Sequence, residues 1–467
     1  MATIKFFGAA QEVTGSCHML ESPAVGRILL DCGMHQGGSS VRRIQEETFL
    51  FEPNSIDAVV LSHGHLDHSG MLPKLVHEGF DGPIYCADAT AELLQVMLLD
   101  SVGIYMGDLA RENRRRARKG KVELPPEYTE EDVTKTLSLC KSKNYQQPFA
   151  ISPHANVIFH DAGHILGSAI VEVVFTEKGK TKTFVFSGDL GNKNAVLMKD
   201  PAVLTRANIV LMEGTYGDRN HRPIGDTVEQ LRQILRDTQA RGGNVMIPAF
   251  AVGRTQELLF YLGQLHQSGE LKNWQVILDS PMAIEVTKVY DRWFSSLDAK
   301  EIEQATPSAS SIIKDFIPRL FLSVTTENSM AINNIKKGAI IIAGSGMCTG
   351  GRIRHHFKQR IWDSRNTVIF CGYQAQGTLG RLLVDGKQRI KMFNDTFAVK
   401  AQIETLGGFS AHAGQSELVE WISNFTGSPT VVLVHGDPQA LDALSLKLWD
   451  EKSMVTEIPA LGQCIAF

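Results

Sequence analysis

The stretch that most restricts how this chain can fold is Ser62 to Gly70, SHGHLDHSG, which follows the apolar run Ile56–Leu61 without a break. Three imidazoles and one carboxylate stand within six positions, and burying them is costly unless they share a ligand that needs them. Zinc is such a ligand, because it takes neutral imidazole nitrogens and carboxylate oxygens. In a tight loop, His63 and His65 can turn one way while Asp67 and His68 face a second point a short distance off. That arrangement suits two metals rather than one. Gly64 and Gly70 are read as supplying the backbone freedom of the turn. A fold carrying this loop must bring further ligands to the same place from distant parts of the chain.

The rest of the sequence indicates how. Short β-type runs separated by turns fill the first part: Thr3–Phe7, Arg27–Asp31, Ile56–Leu61, Ile84–Ala87, Val157–His160, Ile170–Phe175 and Thr183–Phe186. Each ends at or near Gly, Asp or His, which suggests sheets packed face to face with loops collected at one edge. After the strand Ile209–Met212 the texture becomes strand then helix: helix Asp226–Ala240, strand Val245–Ile247, helix Thr255–Gln267, strand Val276–Leu278, and later strands Ala339–Ala343 and Thr367–Cys371. Such alternation implies parallel βα units. A C-terminal segment read as β-rich follows, with strands Phe397–Ile403 and Val431–Val434. At 467 residues the chain exceeds what one core usually organises. The simplest account is a β-rich domain in two pieces with an α/β domain inserted between them.

The SHGHLDHSG run resembles the signature of the metallo-β-lactamase superfamily, and the resemblance directs attention to other ligands. His164, in GHILGS, matches the superfamily's third motif; Asp189, in SGD at a strand end, matches the fourth, whose carboxylate bridges both metals. Three further stretches resemble the β-CASP subgroup, the branch that works on nucleic acids. Glu213 in EGTYG fits its motif A, His412 in FSAHA its motif B and His435 in LVHGD its motif C. The likeness extends over essentially the whole chain, including IPAFAVGR (247–254), DSPMA (279–283), SGMCTGGR (345–352) and QGTLGR (376–381).

The resemblance implies an αββα metallo-β-lactamase sandwich, residues 1–212 and 386–467, with an α/β β-CASP domain inserted at 213–385. It implies two Zn²⁺. His63, His65 and His164 take the first, Asp67, His68 and His435 the second, and Asp189 bridges, leaving room for a bridging hydroxide. The expected activity is zinc-dependent hydrolysis of RNA phosphodiester bonds, with single-stranded RNA as partner. Asp67 counts among the catalytic residues, His412 serves as general acid and Glu213 orients its ring. RNA is preferred to DNA because His435 supplies an imidazole at motif C, where the DNA-repair branch typically has an apolar residue. Two positions depart from the family pattern: Gly414 stands where S-A-H-A-D has its Asp, and Gly214 replaces a frequent Ser.

Anionic substrate needs a hold beyond the metals. The strand Ala339–Ala343 empties into Gly344-Ser345-Gly346, where successive backbone N–H groups can cradle phosphate oxygens. Gln376-Gly377-Thr378 follows another strand in the same way, and Arg254 precedes a helix. Ser345, Gly346, Gln376, Thr378, Arg254 and Ser410 are the candidate substrate-binding residues. The net charge of −4 does not attract a polyanion in bulk, so any positive field must be local. One run answers that description: RENRRRARKGK, Arg111 to Lys121, with seven basic residues and one acid. A solvated helical face or mobile loop is the plainer account of it.

Seven scattered cysteines, never paired as C-x-x-C, indicate neither a disulfide framework nor a zinc ribbon. The N-terminus lacks a long apolar core and no uninterrupted run of about 18 apolar residues occurs, so a cytoplasmic protein without a membrane partner is expected. A homodimer is left open. Three rival functions share parts of the pattern: a DNA-directed β-CASP nuclease, a small-molecule metallohydrolase, and a noncatalytic nucleic-acid-binding subunit. The last predicts damaged ligands, and the ligand set is complete.

Overall fold

The computed structural model describes residues 1–35, 40–294, 297, 317 and 319–467. Two compact units divide the chain: Met1–Asn220 together with His412–Phe467, and His221–Ala411.

In the first unit, side-chain alternation decides what each strand face meets. Along Ala169–Glu177, Ala169, Val171, Val173 and Phe175 point into one buried cluster, while Ile170 points into another. The continuous apolar run Ile209–Glu213 is buried on both faces, with Ile209 and Leu211 on one side and Val210 and Met212 on the other. Two seven-stranded sheets result among the described residues. The first runs Cys464–Ala466, Thr3–Phe6, His18–Ser22, Gly26–Leu30, Ala58–Val60, Ile84–Ala87, Cys140–Lys143. The second runs Thr456–Glu457, Thr430–Val434, Ile209–Glu213, Lys180–Phe186, Ala169–Glu177, Ala155–Asp161, Phe149–Ser152.

Phe6, Leu20, Leu30 and Val60 from the first sheet meet Phe159, Val173, Phe186 and Leu211 from the second in one core. Helices cover the outer faces. Leu72, Leu75, Leu94, Leu98, Tyr105 and Val133 pack on Leu29, Val59 and Leu61. Leu418, Trp421, Ile422, Leu441, Leu444 and Leu448 pack on Val185, Val210, Met212 and Leu433. This is the expected αββα layering, here with strands from both ends of the chain in each sheet.

The reading of the C-terminal segment as β-rich is corrected: it holds the helices Gln415–Ile422 and Pro438–Lys452 as well as strand Thr430–Val434. Another helix of the first unit, Asp88–Ala117, is 30 residues long and, by length and composition alone, apolar enough to cross a membrane. Leu94, Leu98, Val102, Tyr105 and Leu109 recur at three- and four-residue spacing along it and are buried against the first sheet.

The second unit is built on a parallel six-stranded sheet, in the order Phe321–Leu322, Gln275–Asp279, Ala339–Ala343, Val245–Pro248, Thr367–Phe370, Gln402–Thr405. The single strand expected over Phe397–Ile403 is in fact two. Asp395–Ala398 forms a hairpin with Arg389–Met392, whereas Gln402–Thr405 joins the parallel sheet beside Thr367–Phe370. Between them the N–H groups of Val399, Lys400 and Ala401 bond the carbonyls of Gln388 and Ile361, so no ladder can run through. Residues 386–411 accordingly fall in this unit and not, as the sequence boundary has it, with the C-terminal part.

Candidate metal centre

Seven polar residues from four separate stretches of the sequence gather where strands end on one edge of the first unit. Ser62 to His65 follow Ala58–Val60, and His65 caps the short helix Leu66–Ser69. His164 lies between Ala155–Asp161 and Ala169–Glu177, Asp189 just after Lys180–Phe186, and His435 just after Thr430–Val434. The loop is clamped from behind: Ser16 N–H donates to Asp67 O at 2.8 Å, Cys32 N–H to His68 O at 2.8 Å and Met34 N–H to Leu66 O at 2.9 Å. Gly64 and Gly70 are expected to lend the turn backbone freedom, but neither has a positive φ. Gly70 is required for closeness instead, because a Cβ there would stand 2.5 Å from Leu66 O.

The donor atoms converge as three groups: His63, His65, His164 with Asp189; Asp67, His68 with His435; and Asp189 again with Glu213 and His412. His65 Nδ1 is 3.1 Å from His63 Nε2 and 3.3 Å from His164 Nε2, and Asp189 Oδ2 is 3.5 Å from both of those Nε2 atoms. In the second group His68 Nε2 and His435 Nε2 are 3.2 Å apart, Asp67 Oδ2 is 4.0 Å from His435 Nε2, and Asp189 Oδ2 is 3.3 Å from His68 Nε2. Zn–N bonds of about 2.0–2.1 Å in tetrahedral geometry set neighbouring nitrogens about 3.3–3.4 Å apart. The imidazole pairs already have that edge length. Asp189 Oδ1 is buried without a hydrogen-bond partner among the described residues, as suits a carboxylate whose remaining partner is a cation. The donor set fits two zinc ions.

The far side of three of the rings is held as well. His68 Nδ1 lies 2.7 Å from Asp31 Oδ2, and Asp31 also accepts from Ser62 N–H and the hydroxyls of Ser62 and Ser16. His63 Nδ1 is 3.0 Å from Ser62 Oγ. Thr215 Oγ1 donates to His435 O at 3.1 Å and lies 3.1 Å from His435 Nδ1. Its one proton is committed to the carbonyl, so the hydroxyl accepts from Nδ1–H and His435 Nε2 keeps its lone pair. The sequence reading passes over Asp31 and Thr215. Each is a lone polar residue after a strand, with no motif spacing of its own.

Burial and neighbouring charge set the proton affinities. Burial pushes His63 well below the usual histidine range, helped by the adjacent His68, and lowers His65 too. Burial also opposes charge on His68, but the carboxylates of Asp189 and Asp31 overcome it and raise that ring well above its ordinary value. Asp189, although buried, is held well below the carboxylate range by the imidazoles of His435, His68 and His63. His18 sits behind this edge between Phe6 and Phe186. Neither of its nitrogens has a hydrogen-bond partner among the described residues, and burial, then His435 and His68, lowers it to about 3.

Beside the metal ligands stands a second constellation. Glu213 ends its strand buried, accepting from Leu190 N–H at 2.7 Å and Thr215 N–H at 3.3 Å. Its two oxygens lie 3.1 and 3.2 Å from His412 Nδ1, and Asp189 Oδ2 is 4.0 Å from the same nitrogen. The His412 backbone is fixed by an antiparallel bridge to Gly191 and by Ala413 N–H donating to Leu190 O. Burial disfavours its charge, yet Glu213 and then Asp189 push it up to about 9. Its side chain is 19% exposed, against at most 4% for His63, His68, His164 and His435. With Gly414 in place of the family's Asp, Glu213 is the carboxylate that supports this ring.

The candidate substrate-binding residues lie in the second unit. Arg254, buried at the start of its helix, pairs with Glu257 one turn on. Ser345 is half-buried and accepts from Gly350 N–H at 3.4 Å; Gly346 packs so closely on Phe250 that a Cβ would fall 2.7 Å from the ring. Gln376 is exposed, Ser410 is buried, and the buried Thr378 caps the helix Leu379–Val384, accepting from Arg381 N–H. A polar centre not anticipated from sequence is Asp279, which accepts from His356 Nε2 at 2.7 Å, Arg352 at 2.8 Å and Ser329 Oγ at 2.6 Å. It ties the end of strand Gln275–Asp279 to the loop after Ala339–Ala343.

Comparison with known proteins agrees with this construction. Three family models match successive stretches: the metallo-β-lactamase superfamily over residues 11–139, the β-Casp domain over 255–383, and the Zn-dependent metallo-hydrolase RNA specificity domain over 396–459. Ribonuclease TTHA0252 of Thermus thermophilus is 40% identical over 94% of this chain and 94% of its own length. The transcription termination factor FttA of Methanosarcina mazei is 32% identical over 96% of this chain and 69% of its own. The RNase J-like protein of Methanocaldococcus jannaschii is 28% identical over 99% of both. A crystal structure of a protein of unknown function from Enterococcus faecalis V583 covers 100% of both chains with a TM-score of 0.54 at 14% identity, a likeness of fold alone. The ligand set, the αββα sandwich and these matches together place the chain in the β-CASP family of metallo-β-lactamase-fold proteins, to which it belongs.

Proposed function

We propose that the protein is a zinc-dependent ribonuclease that hydrolyses the phosphodiester backbone of single-stranded RNA, with His412 delivering the proton to the leaving oxygen. The observation that carries this reading is the Glu213–His412 pair standing against a complete metal-ligand set and sharing Asp189 with it. His63, His65 and His164 would hold one zinc, Asp67, His68 and His435 the other, and Asp189 both. When bound, the two ions supply Lewis acidity for the phosphoryl group and lower the pKa of water toward neutrality.

The chain's own residues supply the rest. Glu213 holds Nδ1, so the proton to be delivered sits on Nε2 of His412, and the same carboxylate keeps that ring charged until the alkoxide leaves. Asp31 and Thr215 fix which nitrogen of His68 and His435 faces the metals. A thioester hydrolase would leave the proton donor without a task, since a thiolate departs unprotonated. The name of ribonuclease TTHA0252 and the RNA specificity domain over 396–459 support RNA over DNA.

The deciding experiment incubates the zinc-loaded protein with end-labelled single-stranded RNA, DNA of the same sequence and a thioester, each with and without chelator. Chelator-sensitive cleavage of RNA alone is expected. Faster cleavage of DNA or of the thioester would replace this reading with the corresponding rival.

A further inference from the structure

We infer that the cationic end of the long helix Asp88–Ala117 is a second hold for RNA, gripping the backbone several nucleotides away from the scissile bond; the inference rests on the ribonuclease reading above. The helix joins the two places. Near its N-terminal end, Thr90 Oγ1 donates to Gly167 O at 2.6 Å, in the loop that carries His164, and a Cβ on Gly64 would lie 3.4 Å from Leu93 Cβ, in the loop that carries His63 and His65. From Leu93 to Arg114 the helix rises about 32 Å at about 1.5 Å per residue. Its far end therefore stands about nine stacked nucleotides from the metal loops, taking about 3.4 Å per step of a strand, and fewer if the strand is extended.

That far end carries more positive charge than the fold uses. Arg111 pairs with Asp108, Arg115 lies 3.8 Å from Glu112, and Arg116 donates to Val122 O at 2.7 Å. Arg114, Arg118, Lys119 and Lys121 are exposed and carry no ion pair among the described residues. Cations in a last helical turn complement the helix dipole, which accounts for Arg114 to Arg116. It does not account for Lys119 and Lys121, which lie beyond the helix's C-cap residue Arg118.

The cluster is also held in place. Asn113 Nδ2 donates to Leu124 O and Asn113 Oδ1 accepts from Leu124 N–H, both at 2.9 Å, and Glu127 N–H donates to Tyr105 Oη. The chain after the helix is thus folded back on it, so the cations project from a fixed scaffold rather than a loose tail. Unpaired like charges at short spacing suit a ligand with regularly spaced anions and need no base contact. A nucleic acid backbone has that chemistry.

The test compares the zinc-loaded wild type with the fourfold variant Arg114→Gln, Arg118→Gln, Lys119→Gln, Lys121→Gln. A control removes two exposed cations elsewhere, Lys178→Gln and Lys180→Gln. Each protein cleaves an RNA of about 6 nucleotides, too short to reach, and one of about 20. The fourfold variant should lose about tenfold or more in kcat/KM on the long RNA at low salt, with a shallower dependence on salt, and less than about twofold on the short one. The control should change neither. Equal losses on both RNAs, or an unchanged salt dependence on the long one, overturn the second hold while leaving the ribonuclease intact. A wild type that cleaves neither RNA overturns the ribonuclease reading and this inference with it.

Discussion

Five ligand histidines and His412 occupy the same sheet edge, yet their surroundings give them opposite relations to the proton. His63 and His65 lie among other imidazoles, and burial outweighs the pull of Asp189 on both and of Asp67 on His65, lowering their proton affinity as zinc requires of a ligand. His412 is less enclosed, faces both oxygens of Glu213, and is pushed up to about 9, as a proton donor requires. His68 stands between the cases: Asp31 and Asp189 raise it, so a metal entering there must displace a proton. The side-chain type alone does not assign a role. The carboxylate each ring touches, and the depth at which it touches it, do.

The most damaging test of this contrast is Asp189→Asn, because Asp189 approaches both ligand groups and the His412 ring. Both zincs should be lost, read by metal analysis after gel filtration, and RNA cleavage should fall to background. Retention of two zincs by this variant would show that the groups bind independently of the shared carboxylate.

Next in size is His412→Ala, expected to cost about 10² to 10⁴ in cleavage rate while zinc content stays unchanged. Glu213→Gln should lose less, and the double variant should be scarcely worse than His412→Ala, since both act on one proton. A substrate with sulfur as leaving atom should recover much of the loss. If His412→Ala sheds zinc, or the sulfur substrate brings no rescue, His412 belongs with the ligands.

A smaller effect separates the ligands' own supports. Thr215→Val should weaken one of the two zincs by about 10- to 100-fold in chelator competition, while Thr215→Ser retains it, because a hydroxyl at that position is what holds His435 Nδ1. Equal zinc affinity in Val and Ser variants would reduce Thr215 to packing.

The smallest effect is on pH. In metal-free protein the His412 ring should titrate at about 9 by NMR, against an ordinary 6.5, and Glu213→Gln should bring it down. The shift is upward, so its contribution to stability is full below about pH 6.5 and is lost as pH rises toward 9. Thermal stability of the metal-free wild type should fall more across that window than that of Glu213→Gln. A midpoint unmoved by the substitution would remove Glu213 as the cause.

Much of the fold was legible where one pattern dominated. Ile84–Ala87 and Ala339–Ala343 begin and end as their apolar runs predict, and Ile209–Glu213 extends its run by one residue. The misreadings have local causes. Phe397–Ile403 looks like one strand because the backbone turn at 399–401 is made by hydrogen bonds to Gln388 and Ile361, far off in sequence. The helix Asp88–Ala117 is hard to see because apolar residues lie on more than one of its faces, with Ile104 and Met106 exposed while Val102 and Tyr105 are buried. The Arg111–Lys121 run proves to be the end of that helix and the turn beyond it.

By itself, the sequence determined the chemistry available at the site. Zinc demands particular donor types, and His63, His65, Asp67 and His68 are close enough in the chain that any tight loop gathers them. His164, Asp189, Glu213, His412 and His435 could be picked out by their motifs, though not placed. Tertiary structure alone decided which groups face one another: Asp31 with His68, Thr215 with His435, Glu213 with His412. No local rule connects residues 37, 220 and 199 positions apart. They meet because parallel strands such as Ile209–Glu213 and Thr430–Val434 end in register at one sheet edge, and burial there makes each hydrogen bond decide where a proton resides.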